Sequence, residues 1–339
     1  MNPNNLNVLR LIGASLVLYG HSFVFLGLRE PLFLSWSPLG PLGVYIFFTI
    51  SGYLITQSSE RDPHLLRFFA RRALRIFPGL IVCSLLSVLI LGPALTTLPL
   101  QDYFENQYTW QYLRNIGLYI GYYLPGVFES NRVPNAVNGS LWSLPVEFLM
   151  YIVVATSCLL RGNRWVFAAL AVISAVITLF WAQSTTEMVV VYAFDLRQAF
   201  ICGTYFWVGA VFYKFDLKRF FSLSAAVIAC VVILCLEPWA EVLRVVAWVL
   251  LPTIVLAFGL SYSPMLNKLT CSGDYSYGIY IYAFPIQQTV VYLYPQMPLS
   301  SYLPLCFTLA LLCAILSWHL VEQPSLALRP RNPKPTSNV

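Results

Sequence analysis

The chain has 339 residues, of which 58% are hydrophobic and 10% charged, and its mean hydropathy is +0.70. A water-soluble fold of this length cannot hide so much apolar surface in one core, so the composition excludes a soluble enzyme and requires a protein that lives in a bilayer. The formal net charge is +6, but the basic residues have no interleaved aromatic stacking platform, so they mark topology and not nucleic acid.

Ten apolar stretches of about 20 residues, the length that crosses a hydrocarbon core, follow one another near 7–27, 38–57, 77–95, 141–160, 165–182, 196–213, 220–236, 242–260, 275–294 and 301–320. The stretch 113–124 is short, and an extra span there would reverse every later loop. With the N-terminus inside, 14 of the 20 Lys and Arg residues fall on the inner side, among them Arg61, Arg67, Arg71, Arg72, Arg75, Arg164, Lys214, Lys218, Arg219, Lys268 and Arg329. The outer segments then hold only Arg29, Arg114 and Arg132 among eight acids. Positive-inside bias therefore places both termini in the cytoplasm.

The expected fold class is all-α: a polytopic transmembrane helical bundle of about ten spans. Residues 1–325 form one membrane domain, and the Pro-rich polar segment 326–339 is expected to be a disordered cytoplasmic tail. The first apolar run has no small-residue cleavage site after it and reads as a retained span. All eight cysteines fall within spans or on the inner side, without CxxC or Cys/His metal spacing, so neither disulfides nor a metal site is expected. The long segment 96–140 lies outside and is too rich in Tyr, Asn and Trp for a linker. No repeat of the inverted-transporter kind is visible.

Polar residues inside these spans carry the functional reading. Arg10 and His21 are the ionisable residues of the first span, eleven positions apart. At about 100° per residue, eleven steps return to within about 20° of the start, so both lie on one helix face about 16 Å apart. Ionisable groups within a span mark function by default, against the structural alternative of a snorkelling Arg and a His in a core polar network. In NGSLWSLPVEF (138–148), Glu147 enters the fourth span at the depth of His21. A carboxylate there could orient the imidazole of a general base, or the two could simply satisfy each other's hydrogen bonds. In RFFARRALRIFP (67–78), Arg72 and Arg75 share a helix face at the inner mouth of span three. Paired guanidinium groups suit a diphosphate, and equally serve topology or anionic lipid. Gly43, Ser51 and Gly52 in GVYIFFTISGYLI permit close helix approach, the expected role, or a local break lining a cavity. Asp195 and Arg197 are expected to pair at the outer end of span six. The Asn138-Gly139-Ser140 sequon is discounted as a chance match.

Together these pieces resemble the acyltransferase-3 family of integral membrane O-acyltransferases, whose bacterial members acetylate surface glycans. The resemblance runs over nearly the whole chain: Arg10 with His21, GVYIFFTISGYLI, RRALRIFP, SLWSLPVEFLMY, YSYGIYIYAFPI (275–286) and VEQP (321–324) occur in the family's order. It implies His21 as the catalytic base and Arg72 with Arg75 as part of acyl-donor handling, and the family's Glu maps onto Glu147. The expected scheme adds Arg10 further along the path of an acetyl-CoA donor, has Glu147 orient a His21 that deprotonates the sugar hydroxyl or accepts the acyl group itself, and uses no metal. Asn138, Trp142 and Tyr151 are the substrate-binding candidates. Two positions depart from many relatives: Asn7 stands where they carry Asp, and Ala283 where they carry a second His. The family's optional extracytoplasmic hydrolase-like domain is not in the sequence, so transfer is expected to finish within the membrane domain or on a partner. The expected function is a bacterial inner-membrane O-acetyltransferase that moves an acyl group from cytoplasmic acetyl-CoA to a sugar hydroxyl of a surface glycan or its lipid-linked precursor. The expected partners are the lipid bilayer, the glycan acceptor and polysaccharide assembly machinery, with no nucleic acid. The alternatives are a proton-coupled transporter or flippase of a glycan or lipid precursor, which would show flux without covalent change, and a lipid-binding scaffold.

Overall fold

A computed structural model describes residues 4–159 and 162–330. Ten principal helices occupy the ten expected stretches: α1 Leu6–Leu26, α2 Leu39–Arg61, α3 Leu65–Leu86, α4 Ser143–Leu159, α5 Arg164–Ile177, α6 Leu196–Lys214, α7 Leu223–Cys235, α8 Ala240–Leu260, α9 Ser276–Leu293 and α10 Leu299–Ser317. A short α11, Gln323–Ala327, follows a π-helical turn, Trp318–Glu322. Among the described residues, seven helices are long and apolar enough to cross a membrane by length and composition. The only strands described are two two-residue antiparallel ladders: Leu32–Phe33 with Ser37–Pro38, and Val190–Val191 with Phe194–Asp195. The chain is a helical membrane bundle. Its apolar surface, including Phe180, Ile228 and Leu316, is exposed where a soluble protein would bury it.

The bundle is organised around α1 and α2. The first helix packs on α2, α9 and α10, while α2 also packs on α6, α4 and α8. Glycine makes the closest of these approaches possible. A Cβ on Gly13 would come 3.1 Å from the carbonyl oxygen of Gly43, and Cβ atoms on Gly52 and Gly209 would collide with the backbone of Phe206 and Thr49. The close-packing role expected of Gly43 and Gly52 is thus realised, whereas Ser51 between them turns its hydroxyl to a carboxylate.

The helix α3 starts at Leu65, twelve residues before the apolar stretch of span three. Its first turns are amphipathic, with Phe68 and Ile76 buried, so tertiary burial extends the helix through the arginines. A π-helical turn, Ser87–Leu91, carries it on to Leu95. At the opposite end of the bundle from the N-terminus of α1, residues 96–138 fold into a cap with its own core of Tyr103, Tyr112, Leu124, Val127, Phe128 and Val137. The segment 113–124 is a 3₁₀ turn and irregular backbone inside this cap and crosses nothing. Gln288 of α9 fastens the cap by donating to the carbonyls of Val133 and Ala136, both at 2.7 Å.

The segment assigned to a disordered tail begins as structure. Helix α11 runs to Ala327, and Arg329 donates its backbone N–H to Leu326 at 3.3 Å. The remainder of that segment, 331–339, lies outside the described residues.

Candidate active site

A pocket of about 470 Å³ opens at the end of the bundle that carries the N-terminus of α1. The start of α1 gives it Asn7 and Arg10; the end of α2 gives Ser51, Ser58 and Arg61; α3 gives Arg71, Arg72 and Arg75. Glu147 and Tyr151 enter from α4, Asp274, Tyr277 and Tyr280 from α9 and its approach, and Leu326 and Arg329 from α11 and the residues after it. Six arginines therefore face two carboxylates across one cavity, an arrangement that favours an anionic occupant.

Each arginine is held differently. Arg75 donates to Asp274 at 2.7 Å and lies 3.8 Å from Glu322, while Arg10 sits 3.6 Å from Asp274 and donates to Asn7 at 3.1 Å. Asn7, at the position where many members of the resembled family carry Asp, thus accepts a hydrogen bond from Arg10 with a neutral side chain, and Asp274 supplies the negative charge. Burial opposes ionisation of Asp274, but Arg75 and Arg10 outweigh it and hold its carboxyl below the usual range. At the head of α3, buried Asp62 accepts from Arg67 at 2.9 and 2.7 Å and from Arg71 at 2.7 Å. Hydrogen bonding from Arg67 is the main cause that keeps the Asp62 carboxyl far down. Among the described residues Arg72 forms no such bridge, and its Nε is buried without a hydrogen-bond partner.

The carboxylate of Glu147 accepts from the Ser51 hydroxyl at 2.5 Å and from Tyr151, one turn along α4, at 2.6 Å. Tyr151 is thereby part of the pocket wall. Asn138 and Trp142 are placed elsewhere. Pro285 has no N–H to give the carbonyl of Ile281, four residues earlier, and Asn138 Nδ2 fills that gap at 2.8 Å. The partly buried Trp142 packs against the main core, near where the Tyr280 hydroxyl meets Ser143 at 2.5 Å and the carbonyl of Ser140 at 2.8 Å.

His21 lies on the same helix as Arg10, further toward the cap. Its ring packs edge-on against Phe284 of α9 at 5.3 Å and tilts over Phe25 at 6.1 Å, and its Nδ1 is buried without a partner. Next to it, Ser22 accepts from Gln287 at 2.9 Å. Among the described residues no hydrogen bond or ion pair joins His21 to Glu147. The expected pairing rested on equal depth, but α4 packs on α2 and α6, whereas His21 faces α9. The carboxylate is consequently taken by Ser51 of α2. Asp195 and Arg197 do pair, at 2.7 Å.

Sequence reasoning assigned no role to Asp274, and only a topological one to Arg71, Arg61 and Arg329. The signal for Asp274 was the one acid of the inner connection 261–274, immediately before YSYGIY, but its pairing with residues some two hundred positions away is a tertiary fact. Among the described residues no cluster of His, Cys, Asp and Glu is placed to hold a metal ion.

A many-helix membrane bundle with an arginine-lined pocket at one end and a histidine deeper along α1 describes a membrane protein with a pocket suited to an anionic ligand. The comparisons narrow it: the chain belongs to the acyltransferase-3 family, matching its acyltransferase domain over residues 4–319, and is an acyltransferase. It is 31% identical over 330 residues to the O-acetyl transferase of Shigella phage Sf6, covering 94% of this chain and 95% of that one. It is 28% identical over 365 residues to nodulation protein 10 of Rhizobium leguminosarum bv. viciae, covering 96% and 94%. A third relative, the peptidoglycan O-acetyltransferase of Listeria monocytogenes, is 27% identical over 186 residues, covering 48% of this chain and 28% of that one. No solved structure matches the chain.

Proposed function

We propose that the protein is an inner-membrane O-acetyltransferase that takes an acetyl group from cytoplasmic acetyl-CoA and delivers it to a sugar hydroxyl of a surface glycan, or of its lipid-linked precursor, on the opposite face. The observation that carries this reading is the arginine-lined pocket at one end of α1, with His21 about 16 Å further along that helix by its rise per residue. The pocket volume falls in the range of small-molecule sites, and guanidinium groups match phosphate oxygens. Donor phosphates bind at Arg72 and its neighbours, and an extended pantetheine arm, on the order of the Arg10 to His21 separation, carries the thioester inward. The relatives named as O-acetyltransferases support the choice of group transferred.

In this scheme the His21 imidazole accepts the proton of the sugar hydroxyl as its oxygen attacks the thioester carbonyl. The carbon–sulfur bond breaks, the thiolate leaves, and the proton on His21 passes to it. Glu147 belongs to the donor side, beside Arg10 and Arg72, and serves the pocket rather than the base. Asn138 and Trp142 act by holding the cap-proximal end of α4 against α9, where the acceptor enters.

The test is mass spectrometry of surface glycans from cells with the wild-type protein, with His21→Ala, and with neither. The wild type should add an acetyl increment, and His21→Ala should lower it by about 10²- to 10⁴-fold, the usual general-base loss, at unchanged membrane abundance. Near-normal acetylation by an abundant, inserted His21→Ala protein removes His21 as the base.

A further inference from the structure

Three arginines of the pocket, Arg10, Arg71 and Arg75, form salt bridges with carboxylates; the other three, Arg61, Arg72 and Arg329, form none among the described residues. These three are not at one level. Arg72 lies in the second turn of α3 with its Nε buried, whereas Arg61 ends α2 and Arg329 follows α11, both exposed at the mouth. The turn that closes α11, with Arg329 N–H on Leu326, brings Arg329 to this mouth, and the segment lies beyond residue 319, where the family match ends. Partial burial and the like charges of Arg75, Arg72, Arg10 and Arg71 push the Arg329 pKa down to about 10, so its guanidinium sits in a positive field. Unbridged like charges gathered around a cavity are stable when a multiply charged anion joins them.

We propose that Arg61 and Arg329 form a second phosphate subsite at the mouth of the donor pocket, which reads the ribose 3′-phosphate of a coenzyme A-type donor. This rests on the donor assignment made above. Coenzyme A carries a diphosphate between its nucleoside and its pantetheine arm and a separate phosphomonoester on the ribose, at the end furthest from the thioester. A donor that enters thioester first puts its diphosphate by Arg72 and its phosphomonoester at the mouth. That group carries close to two negative charges near neutral pH and suits a mouth lined by two guanidinium groups that have no carboxylate bridge among the described residues. The α11 segment is thus part of the binding site and not a tail.

The phosphate of an anionic lipid headgroup could meet the same two arginines, so the experiment separates the sources. Full-length protein in phosphatidylcholine nanodiscs is titrated calorimetrically with coenzyme A and with 3′-dephospho-coenzyme A. The wild type is expected to prefer coenzyme A by about tenfold or more, the worth of one charge-assisted contact. Arg329→Gln and Arg61→Gln should each bring that ratio toward one while leaving dephospho-coenzyme A binding unchanged, and Arg329→Lys should retain part of it. Equal wild-type binding of the two ligands, or variants that keep the full preference, overturns the subsite and leaves the donor assignment standing. Wild-type protein that binds neither ligand overturns the donor assignment itself. If the Arg329→Gln defect is seen only when phosphatidylglycerol is present, the occupant is a lipid headgroup and the proposal fails.

Discussion

Arg72 and Arg75, three residues apart on one face, read alike in the sequence, yet the structure gives them different work. Arg75 is committed to Asp274 at 2.7 Å and approaches Glu322, while Arg72 has a buried Nε with no partner. Lysine keeps the charge but loses the planar fork. Arg72→Lys should therefore weaken donor affinity by about 1 to 3 kcal/mol with little loss of thermal stability. Arg75→Lys should instead lower the melting temperature, since the fork that reaches both carboxylates is gone. Calorimetric donor binding and thermal unfolding of the two purified variants check this; identical profiles contradict the division. Asp274→Asn belongs to the same network. It leaves the Arg10 and Arg75 guanidinium groups without their shared counter-charge, and breaking a buried pair on one side costs about 3 to 5 kcal/mol. The sign of its pH dependence follows from its lowered pKa: the stabilisation is fully present above the unfolded value of about 4 and is lost only as pH falls through the native value below it. Melting temperature should thus be insensitive to this residue's titration between pH 5 and 8, and the wild-type advantage over Asp274→Asn should shrink only in acid.

Single helices were legible because their information is local. The eleven-residue interval between Arg10 and His21 puts both on one face whatever surrounds them, and the small residues of GVYIFFTISGYLI announced close packing. Lateral neighbours were not legible. Depth in the bilayer follows from counting residues, and it matched Glu147 to His21, but the azimuth of α4 turns that carboxylate to Ser51. The start of α3 was missed for a related reason, since hydropathy marks the apolar length and not the amphipathic turns that tertiary burial adds before it. Helix packing yields its own prediction at Gly52, where any Cβ meets the Phe206 backbone across the α2–α6 contact. A backbone neighbour cannot swing aside as a side chain does. Gly52→Val should cost about 1 to 3 kcal/mol or more and reduce the yield of folded protein in size-exclusion chromatography. Gly117→Ala, at a position with nothing within 4 Å of a new Cβ, should leave that profile unchanged.

At the scale of the whole molecule, the pocket and the cap occupy opposite ends of the bundle, and the scheme of transfer works in only one orientation. The arginines of the pocket mouth lie in the segments that positive-inside bias assigns to the cytoplasm, the side from which the proposed scheme has its donor enter. The cap, fastened to α9 through Gln288 and Asn131, then faces the opposite side, where the proposed scheme puts its acceptor. This is testable without knowing the acceptor. Cysteines introduced singly at exposed cap positions such as Tyr108 and Tyr123 should react with a membrane-impermeant maleimide on intact cells or spheroplasts. Cysteines at Pro63 and Leu66, in the connection from α2 to α3 and on its first turn, should react only after the membrane is opened. The native cysteines Cys230, Cys235 and Cys271 are exposed and are replaced by serine beforehand so that the signal reports the introduced thiols. The opposite labelling pattern would put the arginine pocket outside the cell and the cap within it, and no donor confined to the cytoplasm could then reach Arg72.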